Sequence, residues 1–179
     1  MHKKLLAIVI TVTIVFIFTA CGDASLVKDS IKHTVAQSIK GSIYVEARKT
    51  HRTEWFQFTI ESIERIDHYA GYSPAEGCQF IDVLITQKGI FNDSEPIPMG
   101  TFDFYMDSSI FEECIYPIKP FDDAMMPEEF DLAYDQTVVY HMIYEIPVIV
   151  PDLRLMYTEW FKDNREGATF IVDINLNEL

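Results

Sequence analysis

The stretch that decides the fold is Cys-Gln-Phe-Ile-Asp-Val-Leu-Ile-Thr-Gln, residues 78–87. Side chains of an extended chain alternate between two faces, so Ile81, Val83 and Ile85 lie together on one face. The opposite face carries aromatic, aliphatic and polar residues: Phe80, Asp82, Leu84 and Thr86. An apolar face opposite a mixed face predicts a half-buried β-strand.

The same alternation recurs on both sides of this stretch. It predicts further short strands over residues 43–45, 56–61, 102–106, 138–146, 153–157 and 169–176. Turn-forming residues separate them, as at residues 92–96, and residues 107–131 are acidic, contain prolines and are predicted to be mostly loop. About seven short strands with little helix predict an all-β fold, an immunoglobulin-like antiparallel β-sandwich over residues 42–179.

The chain begins with a targeting pattern. The basic start His2-Lys3-Lys4 is followed by an apolar run over residues 5–18 and then by Phe18-Thr19-Ala20-Cys21. This order is typical of a secretory signal peptide over residues 1–20. The apolar run is shorter than the roughly 20 residues that a membrane-spanning helix needs.

Phe18-Thr19-Ala20-Cys21 resembles a bacterial lipobox, with Phe18 where leucine is commonest. The resemblance implies that Cys21 takes a diacylglyceryl group and becomes the mature N-terminus. The protein would then be anchored in the cell membrane through this lipid, on the extracytoplasmic face. The alternative is an uncleaved anchor helix, with Cys21 unmodified.

Residues 21–41 are predicted to be a tether that contains a short amphipathic helix. Val27, Ile31, Val35 and Ile39 recur every four residues and form a single apolar stripe. A helix this short is marginal by itself. It is expected to pack on its own domain, with the membrane surface or a partner as alternatives.

Charge is distributed unevenly along the chain, which has a net charge of −14. Residues 22–52 hold six basic and three acidic residues, whereas residues 53–179 hold six basic and 25 acidic ones. An acidic domain is not expected to bind nucleic acid. The basic segment lies next to the predicted lipid, where anionic headgroups would attract it, or it is a solvated tether.

Signatures of catalysis are absent from the sequence. There is no G-x-S-x-G, no H-E-x-x-H and no phosphate-binding glycine loop. His141 and Glu145 share a strand face but would lie about 13 Å apart, too far to share a metal ion. We therefore expect no enzymatic activity, no metal and no cofactor. The alternative is a calcium-binding or hydrolytic site built from the carboxylates of residues 107–131: Glu112, Glu113, Asp122, Asp123, Glu128 and Glu129.

Two cysteines remain once Cys21 is assigned to the lipid. A disulfide between Cys78 and Cys114 is chemically permitted outside the cytoplasm. It would stabilise the fold by about 3–4 kcal/mol in the chain-entropy model. Two separate thiols fit the sequence equally well.

Aromatic residues give a last indication, because several are predicted to lie on the face opposite the core. An exposed aromatic patch would mark a binding surface. The alternative is that long loops or the 25–40 helix cover them. The residues concerned are the aromatic Trp55, Phe80, Tyr105, Tyr157, Trp160 and Phe161, together with the aliphatic Leu84.

Several blocks together resemble a known family. They are residues 80–86, Phe102-Asp103-Phe104, residues 144–147, residues 153–157 and residues 170–174. Their order is similar to an uncharacterised immunoglobulin-like domain of Gram-positive lipoproteins, often mislabelled after a telomeric-repeat-binding factor. Residues 133–137 lack the proline and glycine of that family's usual turn. The resemblance implies an extracytoplasmic sandwich and brings no catalytic residues.

The sequence thus favours a lipid-anchored cell-surface protein that acts as a non-catalytic binding module for an unknown protein or envelope component. A purely structural envelope lipoprotein is the alternative.

Overall fold

The structure is a computed structural model, and it describes residues 41–92, 95–110 and 112–179. The predicted signal peptide, Cys21 and the predicted helix over 25–40 lie outside the described residues. Within the described residues, no helix is long and apolar enough to span a membrane. The elements in chain order are β1 (Gly41–Tyr44), β2 (Thr50–Arg52), β3 (Phe56–Ile66), β4 (Cys78–Gly89), β5 (Ile97–Met99), a 3₁₀ turn (Thr101–Asp103), β6 (Phe104–Asp107), β7 (Phe130–Leu132), β8 (Thr137–Pro147), β9 (Asp152–Trp160) and β10 (Glu166–Asn175).

These strands form two four-stranded sheets and a small ladder. Sheet I has the order β1-β10-β9-β6, sheet II has the order β2-β3-β4-β8, and β5 pairs with β7. The orders β3-β4-β8 and β10-β9-β6 match strands A-B-E and G-F-C of an immunoglobulin sandwich. The predicted β-sandwich is therefore confirmed.

One strand pair departs from the predicted antiparallel arrangement. β1 runs parallel to β10, with Gly41 opposite Ala168 and Tyr44 opposite Ile171. All other pairs between strands are antiparallel. The chain then leaves sheet I after Val45, whose N–H still bonds the Ile171 carbonyl, and enters sheet II as β2.

Aromatic rings from both sheets meet in the core. The Phe56 ring of β3 lies 5.0 Å from the Tyr157 ring of β9, and the Phe58 ring lies 5.7 Å from the Phe170 ring of β10. Ile81, Val83 and Ile85 are fully buried on the inner face of β4, as their alternation predicts. Burial of this apolar surface is the main force that holds the two sheets together.

Three short strands were not predicted from the sequence: β2, β5 and β7. Residues 102–106 were predicted as one strand, but a 3₁₀ turn precedes β6 and leaves Phe102 exposed.

Next to the β5–β7 ladder, two backbone segments lie very close together. A Cβ atom on Gly100 would lie 2.0 Å from the Glu128 carbonyl oxygen, so a residue without a side chain is needed there.

Candidate functional site

The outer face of sheet II is covered by the chain itself. Phe80 of β4 and Ile143 of β8 form a small buried cluster with Met125, and Ile66, Tyr69 and Ile118 pack around it. We call residues 118–125 the covering segment. Its backbone is tied to β8, because the Ile118 N–H bonds the Ile143 carbonyl and the His141 N–H bonds the Ala124 carbonyl. Phe80 and Ile143 are therefore interior residues, whereas Val139 at the other end of this face is exposed.

A histidine–carboxylate pair lies at the border of this covered region. Nδ1 of His141 on β8 lies 2.9 Å from both carboxylate oxygens of Asp82 on β4. Burial raises the pKa of Asp82, although the hydrogen bond and charge of His141 oppose that shift. From the sequence, the only partner considered for His141 was Glu145, on the same strand. The true partner lies on the neighbouring strand, which only the β4–β8 register reveals.

Tyr69 extends this cluster toward solvent. Its ring lies 5.6 Å from the His141 ring and 5.9 Å from the Phe121 ring. Burial raises the pKa of Tyr69, and the nearby charges of Asp122 and Asp82 raise it further. Phe121 also stacks on Tyr72 at 4.3 Å. Through these ring contacts the covering segment packs against the loop that connects β3 to β4.

The outer face of sheet I has a different character. One row of opposed residues crosses all four strands: Tyr44, Ile171, Met156 and Tyr105. Tyr44 is 66% exposed at one edge, Met156 and Tyr105 are half-buried, and Ile171 is buried within the row. The row is therefore an apolar band that is exposed at Tyr44 and buried at Ile171.

Polar rows border this apolar band on both sides. Arg154 lies between Asp107 and Asp173 in one row and forms an ion pair with Asp107. In the other row Thr158 lies 3.1 Å from the Thr169 hydroxyl, and the Tyr105 hydroxyl lies 3.1 Å from Thr158. An apolar centre within a polar rim is the usual make-up of a protein-binding surface.

Two further exposed aromatic residues lie on this side of sheet I, Trp160 beyond the polar row of Thr158 and Tyr116 beside β6. Trp160, 60% exposed, lies on the same face at the end of β9. Tyr116 lies at the β6 edge, with its ring 6.2 Å from Tyr105 and 5.5 Å from Phe102. We call the surface formed by Tyr44, Tyr105, Met156, Trp160 and Tyr116, around the buried Ile171, the open face.

The structure divides the aromatic residues that the sequence singled out. Tyr105 and Trp160 lie on the open face, whereas Phe80 lies beneath the covering segment. Tyr157 is a core residue, because it occupies an inward position of β9. The Trp55 ring packs against Phe91 at 4.9 Å and Phe161 at 5.7 Å, at one end of the sandwich.

The carboxylates of residues 107–131 are exposed and do not form one site. Asp122 accepts hydrogen bonds from the backbone of Ala124 and Met125 and so stabilises a turn. Glu128 lies 3.6 Å from the Lys119 ammonium. Among the described residues, no three His, Cys, Asp or Glu side chains are placed to hold a metal ion.

Cys78 and Cys114 are free cysteines, and each lies by a different sheet. Cys78 begins β4 of sheet II and is half-buried. Cys114 is exposed and precedes Ile115, which bridges Met106 of sheet I. Of the two alternatives that the sequence left open, the structure therefore has the separate thiols.

One buried acidic residue, Glu159, was not identified from the sequence. Glu159, 0% exposed, accepts hydrogen bonds from the backbone N–H groups of Glu54 and Ala168, at 2.7 and 3.1 Å. Burial raises its pKa more than these two hydrogen bonds lower it. Glu159 thereby joins the start of β3 to β10, which is a structural role. Its inward position in the β9 alternation was the only available signal.

Comparisons with known proteins identify the fold. No protein-family model matches the sequence, and no curated protein matches it. Solved structures do match. YcdA of Bacillus subtilis, described as a putative lipoprotein, has 14% identity and a TM-score of 0.54 over 73% of this chain. This chain spans 39% of YcdA.

Two smaller proteins match over nearly their whole length. The YjhA protein from Bacillus subtilis has 13% identity and a TM-score of 0.52, with 72% of this chain and 98% of YjhA covered. An uncharacterised β-sandwich protein from Clostridium difficile has 13% identity and a TM-score of 0.51, with 77% and 97% covered. At these identities the likeness shows the β-sandwich fold alone. Membership of the lipoprotein family stays a prediction.

Proposed function

We propose that this protein is a lipid-anchored, extracytoplasmic binding module without catalytic activity. Two observations support the anchor. Residues 1–21 carry a signal-peptide pattern that ends in a lipobox-like Phe18-Thr19-Ala20-Cys21. The sandwich fold is also found in YcdA, which is described as a putative lipoprotein. On this proposal the lipid on Cys21 holds the sandwich at the outer surface of the cell membrane.

The observation that carries the binding role is the open face of sheet I. Large exposed apolar side chains are costly to leave in water, and a contiguous set of them is typical of an interaction site. Tyrosine and tryptophan are also the residues that contribute most to binding energy at interfaces. The open face offers the exposed rings of Tyr44, Tyr116 and Trp160. The half-buried ring of Tyr105 lies beside them on β6. Its partner is an envelope protein or another envelope component.

Intact-mass spectrometry of the protein purified from its native membrane tests the anchor. A mass that corresponds to residues 21–179 with a diacylglyceryl group is the expected result. A chain that keeps residues 1–20 and carries no lipid would contradict the anchor, and would favour an uncleaved membrane helix.

Site-specific photo-cross-linking in cells tests the binding face. A photoreactive phenylalanine analogue replaces Trp160 or Tyr105 on the open face. Val139 provides the matched control, because it is 52% exposed on the outer face of sheet II. We expect the same adduct from both open-face positions, its loss on Met156→Glu, and no adduct from position 139. The absence of an adduct from all positions would favour a purely structural envelope lipoprotein.

A further inference from the structure

A cleft opens along one side of the sandwich, where the two sheets are not joined by a strand. It has a volume of about 560 Å³. One wall is β3 over residues 61–64, the other is β10 over residues 172–175, and the crossing segment 45–48 lies at one end. This volume is in the range of pockets that hold small molecules or short peptide segments.

Both walls of the cleft are strand edges without a neighbour in the described part of the chain. β1 pairs with β10 only as far as Ile171, so residues 172–175 have β9 on one side and the cleft on the other. β2 pairs with β3 only as far as Thr59. Residues 61–64 of β3 therefore pair with β4 alone. Such an edge presents backbone N–H and C=O groups that can pair with a further strand.

The cleft has an apolar floor and an acidic rim. Val45, Val172 and Ile174 are buried at its base. Its lining residues include Arg48 and five acidic residues: Glu46, Glu61, Glu64, Asp173 and Glu178. Glu61, which bonds Thr86, and Glu64, opposite Asp82, point to the outer face of sheet II. Asp173 lies beside Arg154 on the outer face of sheet I. Lys49 pairs with Glu46, which leaves the rim with a negative balance. The domain around it is also strongly acidic, so the long-range field favours a cationic ligand.

The width of the cleft is set by a contact between its walls. Just past the lining residues, Nη2 of Arg65 on β3 lies 2.5 Å from the carbonyl oxygen of Leu176, which follows β10. This hydrogen bond joins the two strand edges beyond the cleft. The site is thus formed in advance, which reduces the ordering cost of binding.

We propose that this cleft binds an extended, cationic peptide segment of a partner protein, which adds as a strand to the edge of β3. Backbone hydrogen bonds to residues 61–64 would supply the alignment, and outward-facing lysine or arginine side chains would meet Glu61 and Glu64 on the outer face of sheet II. Strand addition of this kind derives affinity from the backbone and specificity from the side chains. The cleft is separate from the open face, apart from Tyr44, which borders both.

Binding is measured by fluorescence anisotropy with the full chain in nanodiscs of zwitterionic lipid. The probe is a labelled, amidated heptapeptide of alternating lysine and valine, with empty nanodiscs as the blank. Two control peptides separate the contributions: one with glutamate in place of lysine, and one with N-methylated valines, which keeps the charge but removes strand-pairing donors. We expect saturable binding of the first peptide only, and weaker binding as salt screens the rim.

A pair of variants locates the binding site. Glu61→Gln with Glu64→Gln should weaken binding by about tenfold, a difference of 1.4 kcal/mol. The matched control, Glu129→Gln with Asp131→Asn, removes two exposed carboxylates outside the cleft lining and should leave affinity within about twofold. Thermal unfolding of both variants checks that they fold as the parent does.

Hydrogen exchange of the complex decides the binding mode. Protection of the amides of residues 61–66 on binding is expected from strand addition. The proposal is overturned if no peptide binds, if the N-methylated peptide binds as well as the parent peptide, or if the rim variant binds as tightly as its control. If no peptide binds, the acidic residues of the rim would instead serve to prevent the free strand edge from pairing with other chains and aggregating.

Discussion

The outer faces of sheet II and sheet I are made by the same kind of strand, yet their outward aromatic residues differ in exposure: Phe80 is buried and Trp160 is 60% exposed. On β4 the outward residues Phe80 and Leu84 flank Asp82, and on β9 the outward residues Met156 and Trp160 flank Thr158. The covering segment buries Phe80, whereas nothing comparable in the described residues covers Trp160. Outward apolar residues therefore serve stability on one sheet and remain available for binding on the other.

The largest expected effect comes from removing an aromatic ring from each outer face. Phe80→Ala should lower the free energy of unfolding by about 3–5 kcal/mol, because it leaves a cavity under the covering segment. Trp160→Ala removes a larger side chain that is mostly exposed, and should cost less than about 1 kcal/mol. Urea unfolding of both variants measures the difference. Equal losses would show that the two faces do not differ in the way described.

The inner face of β4 extends the comparison to the core. The Gln87 side chain is fully buried, and its amide atoms have no hydrogen-bond partner in the described part of the structure. Gln87→Met keeps the shape and removes the cost of an unsatisfied amide, so stability should rise by about 1–2 kcal/mol. Gln57→Met, at a half-buried position of β3, is the control and should change little. A loss of stability in Gln87→Met would mean that the amide has a partner, such as a buried water molecule.

The covered face should also make stability depend on pH through Asp82. Burial raises the pKa of Asp82 above its ordinary value of 3.8, so the folded protein binds this proton more tightly than the unfolded chain. The free energy of unfolding then falls as the pH rises from the unfolded pKa through the folded pKa. Asp82→Asn removes this contribution.

Denaturant unfolding of the parent and of Asp82→Asn, from about pH 4 to about pH 7, measures the effect. The variant's stability should fall less over this window. Glu159 has a raised pKa for the same reason, but it is present in both proteins and cancels in the difference. Parallel curves would show that the Asp82–His141 pair stabilises both protonation states of Asp82 equally.

The smallest effect concerns the two thiols, one beside each sheet. Cys114 is exposed and Cys78 is half-buried, and both are free. An alkylating reagent should therefore label both without a reductant, and should label Cys114 faster, because a half-buried thiol is reached less often. Peptide mass spectrometry over time measures the two rates. Labelling that requires prior reduction would restore the Cys78–Cys114 disulfide.

The long strands could be predicted because apolar and polar residues alternate over enough positions in each of them for the pattern to be recognised. β4, β8 and β9 lie where the pattern of apolar residues places them, within a few residues at each end. β2, β5 and β7 have three residues each, which is too short for a period of two to be visible. β5 also contains Pro98, which argues against a strand in sequence but is tolerated at a sheet edge.

The candidate sites were less predictable, because their residues come together only through strand pairing. Tyr105 and Trp160 were identified as outward aromatic residues, but Tyr157 was grouped with them although it points inward. Asp82 and His141 are far apart in the chain and meet because β4 pairs with β8. The cleft arises from where β1 and β2 stop pairing, and no local pattern marks those points.

The sequence by itself determined the class of fold and most of the inward residues of the long strands, since alternation of apolar side chains is a local property of each strand. It also determined the acidic character of the domain and the targeting pattern that ends at Cys21. Only the tertiary structure decided the order of the strands, the partner of His141 and the face that the covering segment occupies. Those features depend on contacts between residues distant in the chain, and the free energy of such contacts exists only once the sheets have packed.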